Sequence, residues 1–83
     1  MARAKHEALA RRERKRAFSA RLNNELRRLG WSVAYAAKVG RVQQNRMFRF
    51  SLGLSLPHRP TLVRIAEALG VDPAELAPWE ADE

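Results

Sequence analysis

Residues 41–53, RVQQNRMFRFSLG, place two adjacent glutamines, an asparagine, three arginines and two phenylalanines within thirteen positions. These amides and guanidiniums are the side chains that read base edges: Gln and Asn bond adenine through paired hydrogen bonds, and Arg does the same to guanine. As a helix over 43–51, plotted at about 100° per residue, the segment divides into two sides. Met47, Phe50 and Leu54 form an apolar side, supported from the preceding turn by Val42. Asn45 and Arg49 point away from it, flanked by Gln44 and Phe48 on one side and Arg46 on the other. Phe50 reads as core. Phe48 fits equally well packed at the edge or touching a thymine methyl.

Such a helix can present its polar side only if other elements hold its apolar one. Phe18, Leu22, Leu26 and Leu29 recur at spacings of four, four and three, the stripe of an amphipathic first helix that Gly30 ends. Trp31 fills the turn, and Ser32 caps a short second helix of small residues that runs to Lys38 or Val39 and is closed by Gly40. After the loop GLSLPHRP, Pro60 suits the first turn of a fourth helix, in which Leu62, Ile65, Ala66 and Leu69 share a face and Gly70 marks the end. The run DPAE at 72–75 combines an Asp cap, a Pro at the first position and a Glu three after the cap, and so predicts a short fifth helix with Leu76 inward. With no alternating strand pattern and no repeats, the expectation is an all-α, compact bundle of about five short helices. A chain of 83 residues supports one such domain, near the size at which a single core becomes marginal.

Charge is unevenly distributed along the chain. All 16 Lys and Arg residues lie at or before Arg64, against three acids there, which leaves that stretch at +13. From Glu67 onward there are six acids and no base, so the formal +7 combines a cationic body with an anionic end. A field of this kind attracts polyanions and speeds encounter with them. Residues 1–17 read as a basic N-terminal arm, either free or a frayed extension of the first helix, because residues 1–16 carry seven bases and two acids with little to bury beyond Leu9. Its candidates for DNA contact are Arg11, Arg12, Arg14, Lys15 and Arg16. Residues 18–77 form the predicted domain and 78–83 an acidic tail containing Trp79.

Several classes fall away on composition. The chain has no Cys, so disulfides and thiolate metal sites are excluded, and His6 and His58 lack ligand-like spacing. Neither metal nor cofactor is expected. No apolar run approaches the roughly 18 residues of a membrane span, and no apolar stretch follows the basic start as a secretory signal requires. The chain is expected in the cytoplasm, on the nucleoid. Paired His and carboxylate groups and Gly-rich phosphate loops are missing, so no enzyme is expected.

The order of parts over residues 18–77 resembles the lambda-repressor-like helix-turn-helix domains of the phage repressor and Cro family, the XRE-type transcriptional regulators. GWS at 30–32 resembles the entry to the second helix, Ala37 falls at the small residue packed between the two helices, and Val42, Met47 and Phe50 match the apolar positions of the turn and recognition helix. Gly53 and Pro57 match the following loop, and TLVRIAEALGVDPAEL resembles the fourth and fifth helices. Val33 stands where the family commonly has a glutamine that touches phosphate.

The resemblance implies a helix lying in the major groove with readers at Gln44, Asn45 and Arg49, the residues that the helical plot selects independently. Gln43 braces Gln44 or bonds phosphate. Which of these two glutamines turns toward the bases depends on one residue of register. Ser32, Lys38, Arg41, Arg46 and Arg59 are candidates for phosphate, and Arg64 reads as solvated. The family further implies a homodimer on a palindromic double-stranded DNA site. Trp79, Leu76 and the acidic tail are then the candidate dimer surface, although the tail could equally dock a protein partner or fold against the basic arm. Two other classes stay open: a nucleic-acid binder without sequence preference, and an antitoxin-type module that neutralises a protein partner and binds DNA secondarily.

Overall fold

The computed structural model describes the backbone of residues 2–82 and the side chains of residues 11–80. His6, Leu9, Asp82 and Glu83 therefore lie outside the described side chains. Five helices follow in order, α1 Ala2–Leu29, α2 Val33–Gly40, α3 Gln44–Ser51, α4 Arg59–Leu69 and α5 Pro73–Leu76, and a 3-10 turn over Pro78–Asp82 ends the chain. Among the described residues there is no strand, and no helix is long and apolar enough to cross a membrane. The protein is all-α, as the sequence led one to expect.

The basic arm is the first half of α1. The 28 residues of this helix correspond to about 42 Å at 1.5 Å per residue, close to the 41 Å long axis of a molecule only 21 Å across in the other two directions. Ala, Arg, Lys and Glu favour helix throughout, and the docked second half supplies the nucleus from which the first half propagates. At Phe18 the helix changes what it touches, not its conformation. Phe18, Leu22 and Leu26 are buried, whereas Arg11, Arg12 and Arg16 are exposed.

The core draws side chains from all five helices, with α2 packed on α3 and α4, and α1 on α3 and α5. Phe18 and Phe50 pack edge to face, with centroids 6.1 Å apart, in one buried cluster with Met47, Leu62 and Ile65. Ala36 and Ala37 let α2 approach α3 and α4 closely. The fifth helix carries the expected capping box: Asp72 Oδ1 accepts from the Ala74 N–H and Glu75 Oε2 from the Asp72 N–H, both at 2.8 Å. Pro60 sits in the first turn of α4, and Gly70 ends that helix in the left-handed conformation.

Three expectations are corrected. Leu54 does not join Met47 and Phe50. It is 51 % exposed, because α3 stops at Ser51 and Gly53, at φ +75°, turns the chain off the helical register. Ser51 is buried in its place. Gly40 lies inside α2, one or two residues past the expected end at Lys38 or Val39. It is the last helical residue, buried beside α4, where a methyl would make ordinary contacts 3.7 Å from Val42 Cγ2, 3.8 Å from Ala68 Cβ and 3.9 Å from the Arg64 carbonyl oxygen. The left-handed position passes to Arg41 at φ +55° and ψ +46°. Leu76 lies inward, as the reading of the fifth helix expects, and at 0 % exposed it is not part of the candidate dimer surface.

Arg41 is thus an L-residue where glycine is preferred, at a cost of about 1–2 kcal/mol. Part of that would be offset by the greater freedom glycine gives the unfolded chain. Arg41→Gly is accordingly expected to raise stability by about 0.5–1 kcal/mol, read as a higher midpoint in urea denaturation. A lower midpoint would mean that the Arg41 side chain is itself stabilising.

Candidate nucleic-acid interface

Helices α2 and α3 are joined by Arg41–Gln43. Ser32 caps α2, its Oγ accepting from the Tyr35 N–H at 3.0 Å, while Trp31 stacks edge-on against Tyr35 at 5.0 Å. At the other end the Val42 N–H reaches back to the Ala37 carbonyl at 2.9 Å, closing the helix around the left-handed Arg41. The chain then enters α3 through Gln43, whose carbonyl accepts from the Met47 N–H at 3.0 Å and whose side chain makes no cap bond.

Helix α3 is clamped from behind. Met47 and Phe50 are buried, and the carbonyl of Ser51 at its C-terminal end accepts from Ser19 Oγ at 2.6 Å and Asn23 Nδ2 at 2.8 Å, both on α1. A last-turn carbonyl that would otherwise lack a partner therefore fixes the axis of α3 to α1. Gly53 comes close beside this junction: a methyl on it would lie 3.6 Å from Ser19 Cβ and 3.7 Å from the Lys15 carbonyl oxygen. Neither Ser19 nor Asn23 stands out in the sequence. Their only signal is a pair of small polar residues, four apart, beside the apolar stripe of α1.

With its back held, α3 turns Gln44, Asn45, Arg46, Phe48 and Arg49 outward, and Gln43 joins them from the cap position. Phe48 keeps 40 % of its surface exposed, so it lies at the rim of the core rather than in it. Lys38 and Arg41, exposed at the end of α2, border this face. Gln43 is the cap of α3 and Gln44 its first helical residue, and both side chains are exposed.

An exposed polar helix face is by default a solvated surface. Two features distinguish this one. Between Glu25 and Glu67 the chain has eight bases and not one acid. Moreover, the ion pairs among the described residues, Arg28–Glu25 and Arg59–Glu80, leave Lys38, Arg41, Arg46 and Arg49 without a carboxylate partner. A helix about 10–12 Å across matches a major groove about 12 Å wide. Amides and guanidiniums outward on such a helix are groups able to form paired hydrogen bonds to base edges.

The remaining candidates are dispersed. Ser32 lies at the start of α2, with its Oγ already engaged in the cap. Arg59, at the start of α4, pairs with Glu80 at 3.1 Å. Arg14 on α1 lies 5.6 Å from the ring centroid of Trp79, which is itself partly buried against the core. Arg21, also on α1, donates to the Glu75 carbonyl at 3.0 Å. The described part of the tail touches α1 through Trp79 and α4 through Glu80. No group of three or more potential metal ligands occurs among the described residues. Comparison with protein-family models, curated proteins and solved structures finds no match for this chain.

Proposed function

We propose that the protein is a sequence-specific double-stranded DNA-binding regulator of transcription that reads the major groove with α3. The observation that carries this reading is the outward set Gln44, Asn45 and Arg49 on a helix whose opposite side is buried and whose C-terminal end is bonded to α1. Gln44 or Asn45 is assigned to adenine and Arg49 to guanine, each with roughly 1–3 kcal/mol of discrimination. Lys38, Arg41 and Arg46 are assigned to phosphates, which position the domain without reading sequence. The resemblance to lambda-repressor-like regulators supports the same roles and adds a two-fold dimer on a palindromic site. With Leu76 buried, the exposed Leu52 and Leu54 are apolar surface that a second subunit could cover. In this reading the protein acts on the nucleoid, in the cytoplasm.

The test begins by sequencing the genomic fragments the protein retains at moderate salt, which defines an operator. Gln44→Ala, Asn45→Ala and Arg49→Ala are each then expected to lose about tenfold or more in operator affinity. Affinity for scrambled DNA should change far less, and the fold should persist because exposed truncations rarely affect stability. Equal losses on both DNAs would reject base reading and favour a binder without sequence preference. Retention of no DNA, together with capture of a single protein partner, would favour the antitoxin-type alternative.

A further inference from the structure

Two bases far apart in the sequence, Arg14 on α1 and Arg59 at the start of α4, converge on neighbouring residues of the C-terminal turn. The guanidinium of Arg14 lies over Trp79, and Arg59 Nη1 bonds Glu80 Oε1 at 3.1 Å. The Arg59 side chain is 64 % exposed and that of Glu80 only 22 %, so the acid is the fixed partner and the arginine the one free to leave. An ion pair this open is weak and screened by salt. A carboxylate offers guanidinium the same planar, charge-assisted bonding that a phosphate does.

We propose that this corner is a phosphodiester-binding subsite which the free protein fills with its own Glu80. The proposal rests on the DNA-binding reading for its natural ligand, a backbone phosphate of duplex DNA. Approach of DNA replaces the carboxylate on Arg59 by phosphate. The acidic end of the chain thereby acts as an internal competitor that lowers affinity for DNA of any sequence.

The experiment compares full-length Glu80→Gln with Glu67→Gln, which removes the same charge from an exposed position with no ion pair among the described residues. Both are titrated against random-sequence duplex DNA over a range of salt concentrations, after circular dichroism has shown equal melting. Glu80→Gln is expected to bind roughly threefold to fivefold more tightly than Glu67→Gln, the equivalent of one exposed ion pair. Its dependence of log affinity on log salt should be steeper by about 0.9, the value for one phosphate. Adding Arg59→Ala should cancel both gains. Identical behaviour of the two glutamine variants overturns the subsite, even if the wild-type protein binds DNA well. Should no variant bind duplex DNA, the DNA-binding reading fails, and elution from immobilised heparin decides the subsite separately. Later elution of Glu80→Gln than of Glu67→Gln would retain an anion subsite, and co-elution would reject it.

Discussion

Phe50→Ala is expected to lower stability by about 3–5 kcal/mol, the range for truncating a buried aromatic residue. In a domain of this size that approaches the entire margin between folded and unfolded states. The side chain is only 2 % exposed, meets Phe18 edge to face and anchors the last turn of α3. Its loss opens a cavity where the helix that carries the candidate readers meets the helix that orients it, so operator binding should fall together with stability. Thermal melting followed by helical circular dichroism checks this directly. An unchanged melting temperature would mean that α3 is not held through Phe50, and the outward assignment of Asn45 and Arg49 would have to be redrawn. Phe48→Ala provides the contrast: at the exposed rim it should cost far less stability.

The second large effect belongs to the basic half of α1. Replacing Arg11, Arg12, Lys15 and Arg16 together by Gln keeps the helix propensity nearly constant and removes four charges, while sparing Arg14 and its contact with Trp79. Each phosphate neutralised contributes about 0.9 to the slope of log affinity against log salt, so the slope is expected to become shallower by about three to four units. Affinity at moderate salt should fall by roughly two to three orders of magnitude, by similar factors on operator and scrambled DNA. A larger loss on operators with A·T-rich flanks would instead indicate insertion into a narrow minor groove. Titration of one operator at several salt concentrations separates these outcomes. Parallel slopes for variant and wild type would remove the basic helix from the DNA contact and leave it to a protein partner. Because the stripe that begins at Phe18 is untouched, melting should not change.

These expectations draw on the two sources unequally. The helices themselves were legible because each carries local signals: the stripe Phe18–Leu22–Leu26, Gly30 and Gly70 as stops, the Asp72 box, and the face shared by Leu62, Ile65 and Leu69. The polar side of α3 was legible for the same reason, since a helix period decides which residues oppose Met47 and Phe50. Errors arose where an element ended. Leu54 obeyed the period but fell beyond the last turn, and Gly40 had the type of a stop but the place of a contact.

By itself, then, the sequence determined that the chain is helical, where its apolar stripes run, which residues of α3 oppose its buried side, and that bases and acids are segregated along the chain. All of these follow from interactions within a few residues, or from composition alone. Only the tertiary structure decided that Ser19 and Asn23 fasten the end of α3, that Trp79 lies under Arg14, and that Glu80 reaches Arg59. Each of these depends on which distant side chain arrives at a given place. That is set by the angles at which packed helices cross, which no local pattern encodes.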